Sequence, residues 1–465
     1  MTDTSSPRRR RRSSTSFAPA STSGTGGGGG GGGSDSLGWK TMAALGAAPA
    51  LLCAAHLTFG ANQPIAALWF TVLLALSLCV ALAFPTVRRG LHDISPLTPL
   101  AILFGLTLAA ALWSFTDLAP GGAHPIWAWA GVEKGSITVN PPATLFEIAK
   151  LLGLGCIFLV GCLQSARMSW ARATVRVVLL VGAGYGLISL LSFVSGAQLM
   201  VGPRLSGGFL SANSGATVFG MLTVVGLAAL LRDWRQTRGL DPASTLGKVA
   251  VSLACVLMSM TCLLLTASRM GLTATVVGAL VLMIWELFDA KRDRMPLLIA
   301  GGVLAVLALF LAIGGNDLLW DRLQTVQTDK VTRGDIFVAH WQAFTASPLF
   351  GYGLGSFSDI NSQITTDQNY HALWSVRAVH NVYLQWLEEA GIIGALPMFL
   401  LIATILVAAV WRTFNLRKGQ TLLRGVIAAS VVVLVHGTVD FGLQVPSIAA
   451  FWAFLLGCQF SFGRR

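Results

Sequence analysis

Long apolar runs recur along most of the chain and constrain its fold more than any other feature. Most of them are long enough for a helix of about 20 residues to cross a bilayer. The last two are shorter, which leaves a re-entrant alternative open. The runs lie at residues 41–59, 64–84, 97–116, 144–164, 174–194, 212–231, 248–266, 270–288, 296–314, 391–411, 425–440 and 446–461. The pattern predicts an all-α polytopic membrane protein with about 12 transmembrane helices.

The scarcity of charge excludes a soluble protein of this length. Charged residues make up 11% of the 465 positions and hydrophobic residues 54%, whereas a soluble domain carries about 25% charge. The net charge of +12 does not indicate a nucleic-acid partner, because the basic residues cluster in short segments between the apolar runs. Orientation in a membrane requires that arrangement.

The basic residues are also divided unequally between the two sides that twelve crossings create. With the N-terminus in the cytoplasm, 24 of the 32 Lys and Arg residues fall on the cytoplasmic side, as the positive-inside rule requires. We therefore expect both termini in the cytoplasm. Two long polar segments then lie outside, residues 117–143 and the large loop 315–390 between helices 9 and 10. The second is too long to be a passive connector.

The N-terminal segment differs in composition from the rest of the chain. Residues 1–36 contain five consecutive arginines from Arg8 to Arg12 and a glycine run from Gly26 to Gly33. Such a segment cannot bury a core, so we expect a disordered cytoplasmic tail near anionic lipid. The sequence therefore predicts two parts of the chain, a tail at residues 1–36 and a transmembrane domain at residues 37–465.

Two motifs in the large loop have a structural interpretation. Phe337, Trp341 and Phe344 recur at helical spacing, which indicates an amphipathic helix either on the membrane surface or packed on neighbouring spans. The glycine-rich stretch from Gly351 to Gly355 lacks the spacing of a nucleotide-binding loop and predicts a tight turn.

Two arginines outside the membrane are candidate ligands for an anion. Arg204 precedes the sixth apolar run and Arg269 lies in a short hinge between two helices, with no carboxylate within several residues of either. An arginine at membrane depth costs about 2.5–3.5 kcal/mol and is kept near a partner or water. A pair of outward guanidiniums could grip a diphosphate in bidentate fashion. Snorkelling, or a carboxylate distant in sequence, remains the alternative.

His380 lies where the large loop returns to the membrane and is the candidate proton acceptor. The alternatives are a structural hydrogen bond for His380 and a helix cap for Asn381. His436 and Asp440 are four residues apart near the outer end of a late helix, hence on one face. They either support the site from behind or satisfy each other.

A divalent-metal site is a weaker interpretation of the same loop. Its acidic and histidine side chains lie at irregular spacing, and no Asp-x-Asp pair occurs in the chain. The residues concerned are His340, Asp359, Asp367 and His371. We expect no metal and no cofactor.

Two segments of the large loop resemble the signature region of the O-antigen ligase and polymerase family. They are RGDIFVAHWQAFTASPLFGYGLGSF from Arg333 to Phe357 and HNVYLQWLEEAGIIG from His380 to Gly394. The stretch 436–446 resembles exopolysaccharide polymerases, and the 204–213 turn and the 268–269 hinge also fit. Together the matching pieces span residues 204–446.

The resemblance implies a C-type membrane glycosyltransferase in the bacterial inner membrane. Its donor would be an oligosaccharide on undecaprenyl diphosphate, and its acceptor a glycan or a lipid A core. A polysaccharide export apparatus is a further expected partner, beside membrane lipid.

The resemblance also implies roles for particular residues. Arg204 and Arg269 would bind the donor diphosphate, and His380 would be the general base of an inverting transfer. Arg333 and Arg377 would contact phosphate or glycan. Behind them, the supporting residues would be Asn381, His436 and Asp440.

Polymerase and ligase differ only in the acceptor, and the late stretch favours a polymerase slightly. The alternative from another class is a flippase for the lipid-linked glycan or another twelve-helix transporter. Two observations disfavour a transporter. No repeat between the two halves of the chain is evident. Twelve-helix transporters of the major-facilitator type have their long loop in the cytoplasm after helix six, whereas here the long loop is predicted outside, after helix nine.

Overall fold

The computed structural model describes residues 39–83, 97–198, 202–237, 240–289, 301–302, 326–416 and 418–464. Within these residues the chain forms α-helices and short 3-10 turns and no β-strand. The helices are α1 Trp39–Leu57, α2 Pro64–Ala83, α3 Thr98–Trp113, α4 Ile126–Trp129, α5 Pro141–Ser165, α6 Met168–Val194, α7 Ala212–Arg235, α8 Pro242–Leu265, α9 Arg269–Asp289, α10 Val326–Ala346, α11 Phe357–Ile364, α12 Tyr370–Leu373, α13 Val382–Asn415, α14 Gln420–His436 and α15 Pro446–Ser461. The prediction of an all-α polytopic membrane protein is confirmed.

Seven of the described helices are long and apolar enough to cross a membrane, by length and composition. They are α2, α5, α6, α7, α8, α9 and α13, and four shorter apolar helices, α1, α3, α14 and α15, accompany them. Eleven of the twelve predicted segments coincide with these helices. The remaining segment, 296–314, lies outside the described residues apart from 301 and 302, so the count of twelve stays a prediction. The tail at 1–36 also lies outside the described residues.

Helix α7 is the centre of the bundle. Its whole apolar stretch is buried, whereas α2 buries only 17% of its stretch and leaves side chains such as Ile65 and Trp69 exposed. Small residues permit close approach elsewhere: a Cβ on Gly161 of α5 would lie 2.2 Å from the Phe454 carbonyl oxygen of α15. Helices meet here without a bulky side chain between them, as is common in membrane bundles.

The two ends of the bundle carry different charged groups. At one end Glu286 of α9 is fully buried and accepts hydrogen bonds from Arg235 of α7 and, at 3.0 Å, from Arg424 of α14. At the opposite end of the same helices lie Arg269, at the start of α9, and Asn213, at the start of α7. The helix directions therefore separate the predicted cytoplasmic arginines from the candidate site.

Helix α13 begins earlier than the predicted span at 391–411 because a short helical segment precedes it. The two parts meet at Gly391, whose φ of 60° breaks the helix. A Cβ there would lie 2.3 Å from the Leu349 carbonyl oxygen, so only glycine fits. The loop from Pro348 docks on this break, since the Pro348 carbonyl accepts from the Ile392 N–H at 2.8 Å.

The glycines at 351, 353 and 355 all have positive φ, and they serve to dock the loop as well as to turn it. The Tyr352 N–H donates to the Glu388 carbonyl at 3.1 Å, and the Tyr352 carbonyl accepts from the Val139 N–H at 2.9 Å. The two long polar segments predicted on the same side of the membrane therefore contact each other.

Helix α10 contains the apolar stripe predicted in the large loop, but only part of that stripe is buried. Ile336 and Phe344 are buried, Phe337 is half-buried, and Trp341 is 53% exposed. The buried face packs against α13, α11 and α12, which matches the alternative of packing on neighbouring helices. The other face leaves apolar side chains uncovered.

Candidate functional site

The candidate site lies at the end of the bundle where α7, α9 and α13 begin. Ser211 caps α7 by accepting from the Asn213 N–H at 3.2 Å. Asn381 caps α13, since its side-chain oxygen accepts from the backbone N–H groups of Tyr383 at 3.1 Å and Leu384 at 3.0 Å. Helix N-termini favour anions because their free N–H groups and dipoles are positive. Asn381 therefore acts as a helix cap, which was the alternative role that the sequence analysis gave it.

Arg204 is held against the hinge that carries Arg269. Its Nε donates to the Thr266 carbonyl at 2.7 Å and its Nη2 donates to the Asn213 side-chain oxygen at 3.0 Å. The neighbouring Leu205 N–H donates to the Leu265 carbonyl at 2.9 Å. Two of these bonds tie the 204–206 turn to the 265–269 hinge, and Arg204 is half-buried.

The hinge itself is a strained connection between α8 and α9. Ala267 has a φ of 47°, a conformation that costs a non-glycine residue about 1–3 kcal/mol. Ser268 lies directly before α9 and accepts from the Gly271 N–H at 3.2 Å. Arg269, in the first turn of α9, is half-buried and forms no ion pair with another described side chain.

Asn213 connects the residues that the sequence predicted separately. Its side-chain oxygen accepts from Arg204, and its Nδ2 donates to Oδ1 of Asp440 at 3.4 Å. Its backbone carbonyl accepts from the Thr217 hydroxyl, which lies 2.7 Å from Nδ1 of His436. A neutral amide therefore joins a guanidinium to a buried carboxylate.

His380 faces this carboxylate from the end of the large loop. Its Nδ1 lies 4.0 Å from Oδ1 of Asp440, and its ring meets Phe441 edge-on at 5.0 Å. The side chain is 25% exposed and the backbone φ is 58°. The next residue but one, Val382, donates its N–H to the Gly437 carbonyl at 2.9 Å and holds the loop on α14.

The electrostatic surroundings of His380 act in both directions. Burial lowers the pKa of His380 below its ordinary value of 6.5, the Asp440 carboxylate raises it, and the Arg333 guanidinium lowers it. A lowered pKa keeps the imidazole neutral near pH 7 and therefore able to accept a proton.

Asp440 and His436 are buried behind His380 and do not bond to each other. Asp440 is 1% exposed, and its Oδ2 has no hydrogen-bond partner among the described residues; the same holds for Nε2 of His436. The interpretation that they simply satisfy each other is therefore not what the structure contains.

The two remaining predicted arginines differ in position. Arg333, on α10, is half-buried and close enough to His380 to affect its charge. Arg377 lies in the loop after α12 and is exposed. Among the described residues, neither has a hydrogen-bond or ion-pair partner. The fold thus brings Arg204, the Arg269 hinge, Arg333, His380 and Asp440 to one end of the bundle, and leaves Arg377 at the surface.

Comparison with protein families gives one match over the middle of this region. Residues 253–399 match the family model described as O-Antigen ligase. The matched residues make up about a third of the chain, and this region is similar to O-antigen ligases. None of the curated proteins compared with the chain matches it.

The matched region, residues 253–399, contains Arg269, Arg333, Arg377, His380 and Asn381. The match supports a membrane protein with a function of the O-antigen ligase or polymerase type in general. Arg204, His436 and Asp440 lie outside the match, and tertiary contacts alone connect them to the matched region.

Of the side chains considered for a metal site, His340, His371 and Asp359 have separate partners, and Asp359 accepts from the Asn140 side-chain amide at 3.0 Å. Fully buried His340 places Nδ1 2.9 Å from Glu388, and its Nε2 lies 3.2 Å from the Asn361 oxygen. Exposed His371 pairs with Asp335 at 3.1 Å. No three His, Cys, Asp or Glu side chains converge among the described residues.

Sequence reasoning missed two positions. The first is Asn213, the last residue of the 204–213 turn and the second residue of α7. An asparagine in the first turn of a helix is a signal, because its side chain can bond to groups outside the helix. Glu388 gave no usable signal, because Glu388 and Glu389 are adjacent and sequence does not tell which one meets a distant histidine.

Proposed function

We propose that this protein transfers a glycan from a polyprenyl diphosphate to an acceptor hydroxyl at this end of the bundle. The observation that carries the proposal is the contact chain from Arg204 through Asn213 to Asp440, with His380 facing the carboxylate. It combines a cation for a diphosphate with a base of lowered pKa.

In the proposed reaction the acceptor oxygen attacks the anomeric carbon of the donor sugar. The acceptor oxygen enters opposite the phosphate oxygen as the bond from the anomeric carbon to that oxygen breaks, so the configuration inverts and polyprenyl diphosphate leaves. Arg204 and Arg269 stabilise the negative charge that develops on the leaving group. Loss of one such donor commonly costs about 2.7–4 kcal/mol of transition-state stabilisation.

His380 accepts the proton of the attacking hydroxyl. With its Nδ1 side towards Asp440, the proton on Nδ1 is stabilised by the carboxylate, and the Nε2 lone pair is the base. A positioned base of this kind contributes about a hundredfold to ten-thousandfold in rate. Arg333 contributes positive charge beside the same ring, and Arg377 is assigned to glycan contact at the surface.

The finer assignments follow from the resemblance and the charge distribution. The donor carrier is undecaprenyl diphosphate, the site is on the periplasmic face of the bacterial inner membrane, and both termini are cytoplasmic. The catalytic domain is 37–465, and the tail at 1–36 binds the anionic lipid surface. No metal is required, and of the two acceptor types a growing polysaccharide is favoured over a lipid A core.

The test gives purified protein a lipid-linked oligosaccharide and sizes the product. A ladder indicates a polymerase, a single transfer to lipid A core indicates a ligase, and the absence of any covalent product indicates transport. Activity is expected to survive EDTA; strict dependence on an added metal would contradict the proposed chemistry.

Variants assign the residues. Arg204→Ala, Arg269→Ala and His380→Ala are each expected to lower transfer at least a hundredfold while the protein still inserts. His371→Ala is the matched control, because this histidine lies in the same loop but is exposed and paired with Asp335. Near-normal transfer by the three site variants would refute the assignment.

A further inference from the structure

Tyr185 of α6 is a buried polar side chain that has no part in the proposed reaction. It is 2% exposed, and its hydroxyl donates to the Gly207 carbonyl at 2.8 Å. Gly207 lies three residues after Arg204, in a turn at residues 205–209 whose side chains Leu205 and Phe209 are buried. A buried phenol hydroxyl needs a partner of this kind, because an unpaired one is costly.

The backbone of this turn fits closely against its surroundings. Gly207 and Gly208 have positive φ values of 66° and 88°. A Cβ on Gly207 would lie 2.6 Å from the Tyr185 hydroxyl, and one on Gly208 would lie 2.7 Å from the His56 carbonyl oxygen. The Gly208 carbonyl accepts from the Phe59 N–H at 2.9 Å. The turn is therefore held between α6 on one side and the end of α1 on the other.

The ring of Tyr185 is itself fixed by packing. It stacks on Phe219 of α7, with ring centroids 5.1 Å apart and planes 15° apart. On its other contacts it meets the tilted ring of His56 of α1 at 5.4 Å. His56 is fully buried, and its Nδ1 lies 2.8 Å from the Ser447 hydroxyl of α15. A hydroxyl on a ring packed in this way is well placed to fix the carbonyl that it binds.

Arg204 extends into the candidate site directly from this turn. Its Nε donates to the Thr266 carbonyl at 2.7 Å, and the Leu205 N–H donates to the Leu265 carbonyl at 2.9 Å. These bonds tie one side of the turn to the hinge between α8 and α9, and the bond from Tyr185 ties the other side to α6. A shift of about 1 Å in a positioned group can cost about a hundredfold in rate, so the placement of this backbone matters for the guanidinium.

We propose that Tyr185 is a positioning residue for Arg204. Through the Gly207 carbonyl, its hydroxyl fixes the turn from which the guanidinium reaches the leaving diphosphate. The inference rests on the proposed function, in which Arg204 stabilises the charge on that group. In this role Tyr185 does not touch the diphosphate, so its effect on transfer passes through Arg204. A residue that only stabilised the bundle would act independently of Arg204.

The experiment is a double-mutant cycle between Tyr185 and Arg204, with a radiolabelled oligosaccharide on polyprenyl diphosphate as donor. Tyr185→Phe removes the hydroxyl and keeps the ring that packs on Phe219. We expect kcat/KM for glycan transfer to fall about tenfold, because a displaced guanidinium stabilises the leaving group less well. In the Arg204→Ala background the same change should alter transfer by less than about twofold, since the group that Tyr185 positions is gone.

Tyr352→Phe is the matched control. Tyr352 is also buried, and its hydroxyl donates to the Ala343 carbonyl at 2.8 Å; among the described residues no hydrogen bond joins it to the 205–209 turn. The two Phe variants should lose similar thermal stability in detergent, because each leaves one buried carbonyl without its hydroxyl donor. The factor by which Tyr352→Phe changes transfer should be the same with and without the Arg204 side chain.

Gly207→Ala is a second variant that leaves Tyr185 intact. Its Cβ would meet the Tyr185 hydroxyl and displace the turn, so transfer should again fall about tenfold with Arg204 present and less than about twofold without it. Near-normal transfer by Tyr185→Phe would overturn the assignment, and so would equal losses with and without the Arg204 side chain. If Tyr185→Phe does not fold, Gly207→Ala decides by the same criterion. If wild-type protein transfers no glycan, the proposed function fails and the assignment fails with it.

Discussion

The Nδ1 atom of His380 lies 4.0 Å from a carboxylate oxygen of Asp440, and the two residues reach this position from different directions along the chain. His380 ends the large loop, and Asp440 follows the end of α14. The carboxylate is almost fully buried, so water screens it poorly. Its negative charge and the positive charge of Arg333 therefore act on the imidazole in opposite senses.

The first prediction is a pair of opposite pH shifts. Asp440 raises the pKa of His380 and Arg333 lowers it. Asp440→Asn should therefore move the acidic limb of the kcat/KM profile to lower pH, and Arg333→Ala should move it to higher pH, because the base must be deprotonated to act. Both variants should also lose activity. Profiles measured from pH 5 to pH 9 that shift in the same direction would exclude His380 as the base.

The second prediction concerns the amide of Asn213. Asn213→Asp replaces a neutral link between Arg204 and Asp440 by a second carboxylate, which attracts the guanidinium and repels Asp440. We expect transfer to fall about a hundredfold and the acidic limb to move to higher pH, since added negative charge favours the protonated imidazole. Steady-state kinetics over pH measure both effects.

Gln198→Ala is the control for Asn213. Among the described residues, Gln198 bonds to backbone groups of the same turn: the Gly202 and Arg204 carbonyls at 3.2 and 3.1 Å and the Ser206 N–H at 3.3 Å. Its loss should leave the pH profile in place. A profile that moves equally in both variants would mean that loop structure, and not the charge arrangement, determines the result.

The third prediction concerns the break in α13. Gly391→Ala places a Cβ 2.3 Å from the Leu349 carbonyl oxygen at a φ of 60°. The strain alone should cost about 1–3 kcal/mol, and the docked 348–355 loop should detach, which lowers activity. Thermal unfolding in detergent measures the loss. Gly105→Ala in α3 is the control, because nothing lies within 4 Å of its added Cβ; equal stability of the two variants would count against the docking.

The fourth prediction concerns the pair that fixes α10 on α13. His340 and Glu388 are both fully buried, and removal of one partner leaves a buried polar group without compensation. His340→Ala should lower the free energy of unfolding by about 1–3 kcal/mol. His371→Ala, whose exposed pair with Asp335 should contribute about 0–1 kcal/mol, is the control. Indistinguishable melting temperatures would contradict this view of the loop.

Sequence predicted the helices well and the site only in part. The span predicted at 212–231 corresponds to α7 at Ala212–Arg235, because a membrane helix must satisfy its own backbone and so follows from local composition. Arg204 and His380 could be selected as candidates because a charged or titratable group near the membrane is costly. Their contacts could not be predicted, since Asn213 and Asp440 are 227 positions apart.

The sequence by itself determined that the chain is a helical membrane protein, and its charge pattern predicted which segments share a side. Hydrophobicity and charge act residue by residue, so they can be read along the chain. Only the tertiary structure decided that Asn213 joins Arg204 to Asp440 and that His340 pairs with Glu388. These contacts depend on the packing of helices distant in sequence, and packing is determined by shape and not by composition.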